Sequence, residues 1–180
     1  MKKIFFIIIV LSIGLFSINK LMAQKSKIRI GDKVPYFTLK DQNGTNFSIE
    51  NLVHKKNMVI YFYPKDDTPG CTKEACSFRD EFEDFKDLDT VIIGISGDGV
   101  ASHKEFEKKY NLPFILLADT KKEVQKLFGV PKSALGLIPG RVTYVVNKEG
   151  TVIYIFNSLR KAKEHIKKAK EALQNNIRKH

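Results

Sequence analysis

Two cysteines and four histidines are all the thiol and imidazole this 180-residue sequence offers. That scarcity excludes a disulfide-dense scaffold, so packing must hold the fold. It also argues against structural zinc, which wants four Cys or His ligands at short, paired spacings. His54, His103, His165 and His180 are scattered, and none stands at ligand spacing from Cys71 or Cys76. The chain has no internal repeat, no low-complexity linker and no second domain boundary. No apolar run reaches the roughly 20 residues of a bilayer-spanning helix. What remains is an ordinary hydrophobic fraction, 43%, in a chain long enough for one domain with one core.

The longest apolar run, residues 4–16 (IFFIIIVLSIGLF), follows Lys2 and Lys3 and precedes SINKLMA. A short positive segment, a short apolar core and a small residue at Ala23 resemble a secretory signal peptide. Residues 1–23 are therefore expected to be a leader and residues 24–180 a single domain, exported and periplasmic. The alternative is a retained N-terminal membrane anchor, because Lys20 and Leu21 are unusual just before a cleavage site. Export places thiols in an oxidising compartment, where their chemistry needs a dedicated source of electrons.

The formal net charge is +11. Removing residues 1–23 takes away Lys2, Lys3 and Lys20 and no acid, leaving +8. Such a charge raises the question of nucleic acid or an anionic surface. The basic residues concentrate in residues 161–180, where Ala162, Ile166, Ala169 and Leu173 form one apolar stripe and no aromatic residue interleaves. That is the pattern of a packed helix with a solvated face, and no nucleic-acid partner is expected.

Along the chain, Asn43-Gly44 marks a hairpin turn in residues 31–50. MVIYFY (58–63) and VIIGIS (91–96) are continuous apolar runs, as for strands buried on both faces. A loop with two prolines and a glycine, residues 64–70, leads into a helix whose stripe is Cys71, Ala75, Phe78, Phe82 and Phe85. Helix is expected at 102–110, strand at 114–118, a short helix at 122–128, a hairpin of 141–146 with 152–156, and a last helix from about 161. Strands alternating with helices, closed by an antiparallel hairpin, predict an α/β fold with a central mixed β-sheet flanked by helices.

The cysteines lie in YPKDDTPGCTKEACSFRD (63–80), five positions apart. In an intact helix that spacing gives a rise of about 7.5 Å and an offset of about 140°, so the Cα atoms lie roughly 8–9 Å apart. A disulfide needs about 4.4–6.8 Å. A permanent staple would require a segment that is not helical, and a buried, inert pair is a further possibility. Thr68 at the N-cap and Pro69 at the first helical position would put Cys71 in the first turn. There, unpaired amides and the positive end of the macrodipole favour a thiolate. The chemistry this suggests is a reactive Cys71 whose sulfenic acid is resolved by Cys76. Cys76 reaches it only if the helix opens.

YFYPKDDTPGCTKEACSFRDEF (61–82) is similar to the active-site segment of peroxiredoxins, and resembles most closely the peroxiredoxin Q, or bacterioferritin comigratory protein, subfamily. Pro64, Thr68 and Cys71 meet its Pro-x-x-x-Thr-x-x-Cys pattern, and Cys76 its C-x4-C spacing. GDKVPYFTL, VIIGISGDGVASHKEF, LPFILLAD and LIPGRVTYVVNKEGTV extend the match over about residues 30–175. The resemblance implies a thioredoxin-like fold and reduction of hydrogen peroxide and organic hydroperoxides, with no redox cofactor. It implies a peroxidatic Cys71 and a resolving Cys76 that form a redox-active disulfide, which a thioredoxin or thioredoxin-like reductant reopens. It further implies that Thr68 orients the peroxide, that Pro64 shields the pocket, that Arg141 stabilises the thiolate and the transition state, and that Glu74 supports Arg141. A monomer is the expected state. The main rival is an exported thioredoxin-like thiol–disulfide oxidoreductase; such proteins use C-x-x-C, and neither C-x4-C nor Arg141 suits them. A basic surface-binding protein without catalysis would leave Thr68, Cys71 and Arg141 unexplained.

Overall fold

The computed structural model describes residues 27–133 and 138–178. The expected leader, residues 1–23, lies outside the described residues. Hairpin strands β1 (Thr38–Asp41) and β2 (Asn46–Ser48) flank a turn in which Gly44 takes φ +80°, a left-handed conformation that favours glycine. A single 3-10 turn, Ile49–Leu52, follows. Strand β3 (Asn57–Phe62) is buried along its whole length. The remaining elements are α1 (Pro69–Asp80), α2 (Phe82–Asp87), β4 (Thr90–Ser96), α3 (Val100–Tyr110), β5 (Ile115–Ala118), α4 (Glu123–Phe128), the short strands β6 (Lys132–Ser133) and β7 (Ile138–Pro139), then β8 (Val142–Val146), β9 (Val152–Asn157) and α5 (Ala162–Ile177).

Seven strands form one sheet in the order β2-β1-β5-β4-β3-β8-β9. β3, β4 and β5 run parallel, while β8 is antiparallel to β3 and β9 to β8. This is the expected mixed sheet flanked by helices.

The apolar runs follow from double coverage. Met58, Ile60 and Phe62 of β3 point into one core with Ile93, Ile95, Tyr144 and Phe128. Val59 and Tyr61, with Tyr63 just beyond, point into the other with Cys71, Phe78, Phe106, Ile166 and Leu173. Because successive strand side chains alternate in direction, a strand covered on both faces has no polar side to show. The α5 stripe read from the sequence (Ala162, Ile166, Ala169 and Leu173) is wholly buried.

Two local details differ from the sequence reading. The stripe of Phe78, Phe82 and Phe85 predicts one helix, but Glu81 breaks it into α1 and α2. A one-residue interruption leaves the apolar phase nearly intact, so periodicity does not register it. The β6–β7 ladder is the second: two-residue strands carry no period.

That ladder ends in Gly140, immediately before Arg141. A Cβ on Gly140 would lie 2.3 Å from the Pro131 carbonyl oxygen, which the Gly140 amide already approaches at 2.8 Å. Both groups are backbone, so neither moves cheaply. Gly140→Ala is expected to cost about 1–3 kcal/mol of stability, as overpacking does. Its peroxidase rate should also fall, because the strain is relieved at the residue that carries the guanidinium. An unchanged Tm with unchanged turnover would refute both.

Candidate active site

Residues 64–68 carry the chain from the end of β3 to the start of α1. Asp66 is buried there and fastened on several sides. Its carboxylate accepts from Tyr63 Oη at 2.7 Å and Ser102 Oγ at 2.7 Å and pairs with His103 Nδ1 at 2.8 Å. Its amide donates to Asp98 Oδ2 at 2.8 Å. Burial alone would raise the Asp66 pKa, but the bonds from His103, Tyr63 and Ser102 outweigh it and hold the carboxyl below its usual range. The loop that presents the helix is therefore rigid. Pro64 lies half-buried in it.

Thr68 stands at the N-cap position and Pro69 at the first helical position, as predicted. The Thr68 side chain does not cap the helix, however. Its hydroxyl donates back to the Lys65 carbonyl at 3.1 Å, while its own carbonyl accepts the Thr72 amide at 2.8 Å. Pro69 contributes no amide, so one of the usual capping demands is missing.

Cys71 is the third helical residue of α1 and only 2% exposed. It sits at the positive end of the helix, in the turn whose amides lack intrahelical partners. Beneath it lies an aromatic stack: Tyr61 packs against Phe78 at 4.8 Å and against Tyr63 at 5.3 Å between ring centroids.

Arg141, one residue before β8, reaches the sulfur from the opposite side. Its Nη2 donates to Cys71 Sγ at 3.3 Å, its Nη1 to Glu74 Oε2 and its Nε to the Leu159 carbonyl at 3.2 Å. The guanidinium is thus held in plane by three partners, 97% buried. Gly70 makes room for it: a Cβ there would stand 3.1 Å from Nη2. Burial works against the charge on Arg141, but Glu74 and Cys71 outweigh it and raise its pKa. Glu74 is fully buried, and burial pushes its carboxyl up to about 8 against the pull of Arg141.

A helix-terminal cysteine, a buried guanidinium on its sulfur and a carboxyl behind the guanidinium are now in one place, 70 residues apart in sequence. The profile of the AhpC/TSA family matches residues 30–155. The chain is 49% identical over 148 residues to a chloroplastic peroxiredoxin Q of Oryza sativa subsp. japonica, covering 82% of this chain and 68% of the relative. The chain belongs to the AhpC/TSA family, among its peroxiredoxins of the Q type. Its fold agrees with that of Mycobacterium tuberculosis peroxidoxin BcpB (TM-score 0.76, 34% identity, 82% of this chain and 97% of the other). It also agrees with a Xanthomonas campestris bacterioferritin comigratory protein studied for alkyl peroxide reduction (TM-score 0.69, 28% identity, 78% and 91%). As a peroxiredoxin the chain is a thiol-dependent peroxidase with a thioredoxin-like fold, and the thiol–disulfide oxidoreductase reading is not favoured.

Of the residues singled out in the sequence of this peroxiredoxin, Cys71, Glu74 and Arg141 converge. Cys76 does not: it lies half-buried farther along the same helix, and both thiols are free. The rest of the setting was not legible in the sequence. Glu74 Oε1 faces His165 Nδ1 of α5 at 3.5 Å. His165 Nε2 lies 2.9 Å from the Ser158 carbonyl and so carries the proton, leaving Nδ1 to accept from Thr143 Oγ at 2.8 Å. Burial lowers the His165 pKa to about 4, so the ring is neutral at ordinary pH. A signal existed: His165 is three residues after Ala162 on the buried stripe of α5, where a polar side chain needs a partner.

Proposed function

We propose that Cys71 is the peroxidatic nucleophile and Cys76 the resolving thiol, acting on hydrogen peroxide and organic hydroperoxides. The observation that carries this reading is Arg141 Nη2 at 3.3 Å from Cys71 Sγ, with the sulfur in the first turn of α1. The thiolate attacks one peroxide oxygen, the O–O bond breaks, and the other oxygen leaves as hydroxide or alkoxide and takes a proton. Sulfur is oxidised by two electrons to the sulfenic acid, and the peroxide is reduced by the same two. The Cys76 thiol then displaces hydroxyl from the Cys71 sulfur, forming the disulfide and releasing water. Arg141 offers a fixed cationic donor to charge developing on the peroxide oxygens, Glu74 holds Arg141, the Thr68 hydroxyl receives the peroxide, and Pro64 walls the pocket. A thioredoxin-like dithiol returns the disulfide to two thiols.

Cys76→Ser tests the division of labour. The variant is expected to consume one equivalent of peroxide per chain, at the parent rate, and to leave a trappable Cys71 sulfenic acid. Mass spectrometry of the parent should show the intramolecular disulfide instead. Full thioredoxin-coupled turnover by Cys76→Ser would overturn the pairing.

The setting belongs to the same proposal. Residues 24–180 act as one monomeric peroxidase domain after export, or remain tethered by residues 1–23. The N-terminal pattern supports this, and among the described residues no helix is long and apolar enough to cross a membrane.

A further inference from the structure

Resolution demands motion. Cys71 and Cys76 both lie in the intact helix α1, where five residues set their Cα atoms roughly 8–9 Å apart, beyond the reach of a disulfide. The stretch that must unwind is therefore the middle of α1, and its two ends determine how readily it does so.

Both ends are held by one residue of the neighbouring helix. Upstream, Asp67 precedes the N-cap with φ +53°. Its carboxylate accepts from the hydroxyl of Tyr110 and pairs with Lys109 Nζ. Downstream, Arg79 in the last turn of α1 donates from Nη1 to the backbone carbonyl of the same Tyr110 at 2.7 Å. Tyr110 is the final residue of α3, so its carbonyl is one of those a helix leaves without an internal partner. Its ring is fixed edge-on against Phe106 at 5.3 Å. Residues 68–78 lie between these two attachments and hold both cysteines.

We propose that Tyr110 is the positioning residue for the resolving step: its hydroxyl and carbonyl oxygen clamp the two flanks of the redox helix and set how fast and how far it opens. The inference rests on the Cys71–Cys76 pairing proposed above. The upstream contact is a brake on opening. The downstream contact is a stop that confines unwinding to the segment before Arg79 and spares α2. Nothing in the clamp touches Cys71, Arg141 or Glu74, so peroxide attack and disulfide closure should respond differently to its loss.

The test uses the full chain, a hydrogen peroxide pulse, and rapid quenching with alkylation and mass analysis of thiol, sulfenate, sulfinate and disulfide. Tyr110→Phe removes only the hydroxyl. It is expected to leave the rate of sulfenate formation as in the parent, to speed disulfide closure about three- to tenfold, the effect of one ordinary hydrogen bond, and to lower the sulfinate formed at high peroxide. Lys109→Met should act in the same direction. Lys104→Met, on the same helix but with its ammonium on Asn43 of the β1–β2 turn and on Glu107, should change neither rate. For the stop, hydrogen exchange of the oxidised parent should rise in residues 68–78 only, and in oxidised Arg79→Met it should spread into residues 82–87.

Closure unchanged or slower in Tyr110→Phe overturns the brake, as does a fall in sulfenate formation alongside it, which would mean a misformed helix. Exchange already raised across 82–87 in the oxidised parent, or failing to spread in Arg79→Met, overturns the stop. If the parent forms no Cys71–Cys76 disulfide at all, the pairing fails and the clamp with it. If the parent forms it and the variants match the parent, only the clamp fails.

Discussion

Cys71→Ser is expected to abolish peroxide turnover, by on the order of 10⁴-fold or more, the scale on which removal of an activated nucleophile acts. The fold should survive. Serine is nearly the size of cysteine, and its hydroxyl can accept from Arg141 Nη2 where the sulfur now does at 3.3 Å. The loss is chemical: a serine hydroxyl in this place neither ionises at ordinary pH nor expands to the sulfenic state. Thioredoxin-coupled peroxide consumption measures it, with circular dichroism and thermal unfolding as the control on structure. Turnover retained at even a hundredth of the parent rate would remove Cys71 from the role of nucleophile. It would also leave the convergence of Arg141 and Glu74 upon it without purpose.

Arg141→Ala should slow peroxide attack about 10²–10³-fold, the usual effect of deleting one preorganised donor from a developing negative charge. It should also destabilise the chain, by about 2–5 kcal/mol near neutral pH, because a buried side chain is deleted together with its hydrogen bonds to Glu74 and the Leu159 carbonyl. The pH dependence has a definite sign. Burial already raises Glu74 to about 8 in the presence of Arg141, and without the guanidinium it moves higher still. A carboxyl whose folded pKa lies above its unfolded value binds more protons when folded, so stability is greatest below the unfolded value of 4.5 and falls as pH rises toward the folded one. Denaturant titrations from pH 5 to 9 should therefore show Arg141→Ala falling in parallel with the parent at first and losing further ground only as the pH reaches about 8, where the parent levels off. The double variant Arg141→Ala/Glu74→Gln should recover the part of that stability lost at alkaline pH and none of the rate. Recovery of both would mean that Arg141 acts only by shielding Glu74; recovery of neither would mean that the cavity, not the charge, sets the cost.

The sequence was most readable where local chemistry decides structure. Met58 to Phe62 of MVIYFY lie in a strand buried on both faces, and Tyr63 just beyond is buried too. Gly44, at φ +80°, closes the first hairpin where glycine was expected to, and Gly150, at φ +74°, turns the expected hairpin of β8 and β9. Thr68-Pro69-Gly70 fixed the start of α1, and with it the place of Cys71 in the first turn. What local chemistry does not encode is which distant elements meet. Arg141 reaches Cys71 across 70 positions because β8 pairs with β3, and no periodicity announces that pairing. Family resemblance supplied Arg141 and Glu74. Neither route supplied His165, Thr143 or the Leu159 carbonyl, which become neighbours of the site only when α5 folds back over β8 and β9. The double attachment of α1 to Tyr110 was invisible for a simpler reason. One half of it is a backbone oxygen, which every residue possesses.

The position of α5 also bears on where the protein can be cut or extended. The family profile ends at residue 155, and all the motif residues precede that point. Yet His165 lies 3.5 Å from Glu74, and Ile166, Ala169 and Leu173 roof the same core that seats Cys71. A truncation after β9 would keep the whole recognisable signature while opening Glu74 and Arg141 to water. The packing around Cys71 thus extends past the end of the profile match, and a fusion partner belongs beyond residue 178 rather than at the profile's edge.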